Sequence, residues 1–240
     1  MSGLRQRLRE ETMKNICLTL VLLAMLILAA PVRAEGGRTD IHEQAEQVQP
    51  LLPGMQAPAF SLKDAAGNPV AFDPAGMSKP LVLTFFRGGW CPYCNLHLSE
   101  MRKAEAELRE MDFDIWFISI DRPEMLYASL DDPDLPYRVL SDSKLEATRA
   151  FGLAFRVSDE LVKKYLTWDI DLEGASGENH HVLPAPSTYI IGSDGKIRFQ
   201  YTNPEYNVRL HPDVLLAAAR AYKNGEDERL KREYSARKNQ

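Results

Sequence analysis

A chain of 240 residues with 45% hydrophobic and 26% charged side chains has room for one sizeable domain with extensions, and its composition is that of an ordinary globular protein. Its 29 Lys and Arg stand against 34 Asp and Glu, and residues 1–34 hold five of the basic and two of the acidic side chains. The remainder therefore carries 24 against 32, a net −8, which argues against nucleic acid as a partner because phosphate binding needs a basic surface.

Residues 1–34 read as a signal peptide. Arg5, Arg7, Arg9 and Lys14 precede the apolar run from Ile16 to Ala30. Pro31-Val32-Arg33-Ala34 then presents small residues where a signal peptidase cuts, so cleavage is expected before Glu35. The expected destination is the periplasm or another exported compartment. The run falls short of the roughly 20 residues a membrane span needs, and an uncleaved N-terminal membrane anchor is the alternative. Cleavage would remove Cys17 and leave Cys91 and Cys94.

Residues 35–49 are polar and aperiodic, which predicts a flexible linker. A domain is predicted over 50–222. Its opening segment, PAFSLKDAAGNPVAF, places the turn cluster Ala65 to Pro69 between two short apolar runs, as in a hairpin or an extended entry segment. Leu81 to Phe86 (LVLTFF) and Asp114 to Ile120 (DIWFISI) predict buried strands, with a helix from Pro92 to Met111 between them. A short helix is expected over 123–130, a short strand over 137–140 and a helix over 145–151, with Pro136 and the DDPD run in turns. Residues 156–185 are the least regular part, with one helical stretch over 160–165. STYII and KIRFQY flank a tight turn, as in an antiparallel hairpin, and Pro212 opens a helix to Tyr222. Residues 223–240 form a charged tail, expected as a frayed helical extension. Parallel βα units followed by an antiparallel pair predict an α/β fold: a mixed central sheet with helices on both faces, laid out as in a thioredoxin-like domain.

The chemistry concentrates in RGGWCPYC, residues 87–94. A zinc site wants four ligands, usually as two pairs, and no second cysteine pair exists; His97 stands alone on the helix, with His180 and His181 far along the chain. Haem attachment needs His directly after the second cysteine, where Asn95 stands. No cofactor is expected. A structural disulfide between Cys91 and Cys94 would close only a tiny loop and constrain the unfolded chain little. A redox dithiol fits the setting better. Cys91 sits where Pro92 opens a helix, so unpaired N–H groups and the macrodipole favour its thiolate; Cys94, one turn in, is expected to be more buried. Arg87 is a candidate cation for lowering the Cys91 pKa, with a solvated loop arginine as the alternative. Trp90 is expected to shield the sulfur or simply to pack, and His97 to occupy a helix face. Pro186, before STYII, is a candidate cis proline facing the sulfur pair.

On FFRGGWCPYC, LPAPSTYIIGSDGKIRF and NPEYNVR, the chain resembles the peroxiredoxin-like branch of the alkyl hydroperoxide reductase and thiol-specific antioxidant (AhpC/TSA) family, within the thioredoxin-fold superfamily. The resemblance covers about residues 50–222. It implies that Cys91 is the peroxidatic and Cys94 the resolving cysteine of a thiol peroxidase. The implied substrates are hydrogen peroxide or small organic hydroperoxides, and the implied reductant is thioredoxin-like or glutathione-linked. The chain departs from the family pattern at two places. Gly88 stands where the family carries a peroxide-orienting Thr or Ser, with Thr84 the nearest threonine. Pro186 stands where the family carries an arginine, so that Arg87 or Arg209 would have to substitute. Trp90 and Pro186 complete the candidate substrate contacts. These departures keep two other readings open: a periplasmic thiol–disulfide oxidoreductase acting on proteins, and a non-catalytic module on the same scaffold.

Overall fold

The computed structural model describes residues 36–126 and 137–238. The expected leader with Cys17 and its expected cleavage site, the turn expected at the DDPD run, Pro136 and the end of the helix expected over 123–130 lie outside the described residues.

The opening hairpin pairs β1 (Phe60–Lys63) with β2 (Pro69–Phe72). Asp64 closes its turn by accepting from the backbone of Ala66 and Asn68 at 2.9 and 2.8 Å. Every residue of β3 (Leu81–Phe85) is buried, as its unbroken apolar run requires of a central strand. Helix α1 (Pro92–Glu110) returns the chain to β4 (Asp114–Ser119), which runs parallel to β3. After the short helix α2 (Pro123–Leu126) come β5 (Arg138–Ser141), parallel to β4, and α3 (Glu146–Ala150). The hairpin β8 (Ser187–Ile191) and β9 (Ile197–Thr202) joins the sheet antiparallel to β3, and α6 (Pro212–Lys223) closes the domain. The seven strands stand in the order β2-β1-β5-β4-β3-β8-β9.

Alternation along β3 divides the core. Val82 faces Leu98, Met101 and Ala104 of α1 and Leu215 of α6, while Leu83 and Phe85 face Phe151, Leu153 and Tyr189 on the other side. The expected α/β architecture, a mixed sheet with helices on both faces, is therefore present.

Three expectations need correction. The segment over 35–49, expected as a flexible linker, is described from Gly36 onward and is docked. His42 is buried, its N–H donates to Ala154 at 3.0 Å and its carbonyl accepts from Arg156 at 2.8 Å; Gln49 donates to Gly152 at 3.0 Å. Backbone pairing needs no hydrophobic periodicity, so the polar sequence did not announce it. Second, the irregular region over 156–185 carries more structure than expected: the helical stretch expected over 160–165 is present as α4 (Asp159–Leu166), and beside it stand α5 (Leu172–Ser176) and a separate two-stranded sheet of β6 (Ala154–Arg156) and β7 (Val182–Pro184). Strands of three residues are too short for alternation to register. Their apolar faces pack Ile120, Leu145, Val157, Tyr165 and Leu172 into a third cluster. Third, no peptide bond among the described residues is cis, and Pro186 is trans. Its carbonyl accepts from Asn203 at 3.2 Å as the chain enters β8. The tail beyond an exposed turn at Glu226–Glu228 forms the exposed helix α7 (Arg229–Lys238).

Candidate active site

The site is a loop held between the ends of β3 and β4 and the start of α1. Phe86 keeps the last ladder bond, donating to Ile118 at 2.9 Å, and the chain then leaves the sheet. Gly88 has a φ of +154°, a conformation glycine accepts and side-chain-bearing residues avoid. A β-carbon there would also meet the indole nitrogen of Trp90 and fall 2.8 Å from Asp121 Oδ1. Asp121 Oδ2 accepts from the Gly89 N–H at 2.7 Å, and Asn95 Nδ2 donates to the Gly89 carbonyl at 2.9 Å. Cys91 is the N-cap residue of α1 with Pro92 behind it, and its carbonyl accepts from Cys94 and Asn95 at 2.9 and 3.1 Å. These bonds hold the Cys91 sulfur at the positive end of a 19-residue helix.

Both cysteines are free thiols and both are buried, Cys91 at 1% and Cys94 at 0% exposure. Their acidities are driven apart. Cys91 is lowered to about 6, chiefly by the hydrogen bond from Cys94 and then by the charge of Arg87, with burial opposing. Burial and the neighbouring Cys91 sulfur push Cys94 well above the ordinary thiol value. The pair thus consists of one thiolate and one thiol that donates to it, which suits nucleophilic attack at Cys91 followed by condensation with Cys94.

Two arginines flank the pair. Arg87 is buried, and its Nη1 lies 4.0 Å from the Cys91 sulfur. The solvated alternative for this residue is thereby excluded. Its Nη2 donates to the Tyr165 hydroxyl, and its guanidinium carbon lies 4.1 Å from the Tyr206 ring centroid, 5.2 Å from Trp90 and 5.6 Å from Tyr165. Arg209 Nη2 lies 3.4 Å from the Cys94 sulfur, and its Nε donates to the Tyr206 carbonyl. Trp90 is half-buried, packing on Tyr165 with ring centroids 5.9 Å apart. His97 is buried with Nε2 3.2 Å from the Leu210 carbonyl, and burial with the nearby Arg209 lowers it to about 4, so it is neutral at physiological pH. Thr84 is also buried, sharing a 3.1 Å hydrogen bond with Thr188 across β3 and β8. Pro186 stands next to Ser187, the register partner of Phe85, at the strand end that launches the loop.

Three residues that sequence reasoning did not single out complete the site. Asp121, 1% exposed, holds Gly89; burial raises it to about 6 against the pull of Gly89 and Ser119. Its place just past the end of a parallel strand was the available signal, because sites gather at those strand ends. Tyr206 lies within NPEYNVR, one of the stretches that carry the family resemblance, whereas Tyr165 had no signal, since it arrives from a distant and irregular segment. A cavity of about 420 Å³ opens beside the loop, lined by Trp90, Asp121, Arg122, Met125, Asp171 and Ala175 among others. Among the described residues no group of three or more His, Cys, Asp or Glu side chains is disposed to hold a metal ion.

The AhpC/TSA family model matches residues 53–200, more than half of the chain. The chain belongs to the AhpC/TSA family. This AhpC/TSA member is similar to peroxiredoxin Bcp of Escherichia coli K12, with 26% identity over 170 residues, covering 70% of this chain and 96% of that protein. In fold it is similar to peroxidoxin BcpB of Mycobacterium tuberculosis (TM-score 0.54, 22% identity), which it matches over 70% of this chain and 96% of that one. It is likewise similar to peroxiredoxin Q of Xanthomonas campestris (TM-score 0.53, 16% identity), over 72% of this chain and 99% of that one. The fold is thus the thioredoxin-like one shared by peroxiredoxins. Within it, the hydroxyl-bearing residue typical three places before the cysteine is replaced here by Gly88, in a space that Trp90 and Asp121 already fill.

Proposed function

We propose that the protein is an exported thiol peroxidase that reduces hydrogen peroxide or small organic hydroperoxides through Cys91 and Cys94. The coarse part, a thiol peroxidase of the peroxiredoxin kind, follows from the family and its relatives. The observation that carries the assignment of roles is the divergence of the two thiols, one lowered to about 6 and the other raised. The Cys91 thiolate attacks the terminal peroxide oxygen and the O–O bond breaks; Cys91 becomes a sulfenic acid, and the leaving oxygen takes a proton to depart as alcohol or water. Cys94 then attacks the sulfenic sulfur, expelling water and closing the disulfide. Two thiols of a thioredoxin-like or glutathione-linked donor return both cysteines to the reduced state. Arg87 supports the thiolate and Arg209 faces the resolving sulfur; both, with Trp90, are proposed to contact the substrate. Stopped-flow mixing of reduced protein with hydrogen peroxide is expected to consume one Cys91 thiol much faster than free cysteine reacts. Loss no faster than free cysteine would refute the peroxidase reading.

Export rests on the basic leader, the apolar run and the small residues before Glu35. Mass spectrometry of the protein from envelope fractions is expected to find Glu35 at its N-terminus; an intact Met1 in the cytoplasmic fraction would overturn it.

The missing hydroxyl at Gly88 favours one second reading, a thiol–disulfide oxidoreductase acting on protein substrates. The trans bond before Pro186 removes one of that reading's supports. A Cys94→Ala variant that accumulates mixed disulfides with envelope proteins would raise it above the peroxidase.

A further inference from the structure

Arg87 is an unusual cation. It is buried at 4% exposure, its Nε has no partner, and among the described residues no carboxylate lies within ion-pair distance of it. The Cys91 sulfur lies 4.0 Å from Nη1. Three rings surround the guanidinium, yet ring faces attract it without fixing its rotation about the side-chain axis. Apart from the sulfur itself, the guanidinium's directional contact is the hydrogen bond from Nη2 to the Tyr165 hydroxyl.

We propose that Tyr165 is a positioning residue for the reactive cysteine, its hydroxyl fixing the Arg87 guanidinium so that Nη1 faces the Cys91 sulfur. Helix α4 supplies the anchor. Ser158 caps this helix by accepting from Leu161 at 3.2 Å, and the acidic first turn and basic last turn suit its dipole. Tyr165 lies near its end, where its carbonyl accepts from Trp168 and Ile170 and its ring is buried against Trp90 and Trp168. The hydroxyl is therefore held at a fixed point beside the loop, and a planar guanidinium bonded at one nitrogen has its other nitrogen's direction set. The groups that act on the Cys91 charge come from several elements: Arg87 from the loop, Cys94 from α1 and Arg209 from the segment before α6, with Tyr165 acting through Arg87; Asp121 holds the loop at Gly89, and the neutral His97 stands on α1 behind Cys94.

This inference deepens the reading of Cys91 as the nucleophile, and its test does not depend on peroxide. Iodoacetamide labelling of Cys91, followed by peptide mass mapping across pH, reports the thiolate directly. Tyr165→Phe keeps the ring and its packing and removes only the hydroxyl, and a thermal melt verifies that it folds. At pH 6 labelling is expected to slow by roughly threefold or more, with the half-labelling pH displaced upward. Arg87→Met is expected to slow it further, and adding Tyr165→Phe to Arg87→Met should then change nothing more. If Tyr165→Phe leaves the profile unmoved while Arg87 is present, or slows labelling equally without Arg87, the positioning role is wrong. If instead the profile behaves as expected but peroxide consumption is absent, the peroxidase reading alone fails.

Discussion

At Gly88 and Cys94 single atoms decide the chemistry. The φ of +154° at Gly88, with Trp90 and Asp121 over its α-carbon, leaves no room for even a methyl group. Gly88→Ala is expected to destabilise the protein by about 1–3 kcal/mol through backbone strain and displacement of the indole, seen as a lower melting temperature by several degrees. Unchanged melting would mean that the loop relaxes freely. Cys94 matters as a hydrogen-bond donor apart from its proposed resolving role, because its bond is the leading cause of the Cys91 shift. Removing that donor with Cys94→Ala should move the Cys91 labelling profile from about 6 toward the ordinary thiol value of about 8.5, whereas Cys94→Ser, still a donor, should move it less.

Elements supply the positions at which those atoms sit. The end of β3 and the start of α1 place Cys91 at a helix N-terminus, and β4 brings Asp121 under the loop. The β6–β7 pair and α4 bring Tyr165 to Arg87. That small sheet is extended by the segment before residue 50, through the bonds of His42 to Ala154 and Arg156 and of Gln49 to Gly152. A truncation beginning at Pro50 removes these three backbone hydrogen bonds and is expected to cost about 2–4 kcal/mol. Amide exchange at Gly152 to Arg156 should speed up in that variant. If exchange there is unaffected, the segment is only resting on the surface.

Across the whole molecule, buried titrating groups give stability an uneven response to pH. Asp121 and Asp142 are both raised from 3.8 to about 6 by burial. Their folded forms hold protons that the unfolded chain releases, so the contribution from each is full below about pH 4 and is lost as pH rises to about 6. His97, lowered to about 4, works in the opposite sense between pH 4 and 6.5. Asp142 is the cleaner probe because it lies away from the dithiol, accepting from Ala147 and Thr148 at 3.2 and 2.6 Å at the head of α3. Asp142→Asn should flatten the fall in stability between pH 4 and 6 by an amount on the order of 1–3 kcal/mol, measured by urea unfolding at each pH. An unaltered pH dependence would show that this carboxyl does not stay protonated on burial.

Much of the molecule was legible in its letters. Short runs rich in apolar and β-forming residues set β3, β4 and β8, and the periodicity of PYCNLHLSEMRKAEAELRE set α1, because burial on both faces or on one stripe leaves its mark in the letters. The dithiol at a helix start was equally readable, since Pro92 after Cys91 is local chemistry. Pairings that leave no period were hidden: the docked segment of residues before 50, the three-residue strands β6 and β7, and the trans bond at Pro186, where residue type alone carries only a preference. The sequence by itself determined the α/β order of elements and the place of the candidate dithiol at a helix start. Only the tertiary structure decided which side chains surround the loop of that pair, because Asp121, Tyr165, Tyr206 and Arg209 lie far from it along the chain and reach Gly89, Arg87 and Cys94 solely through packing across the sheet ends.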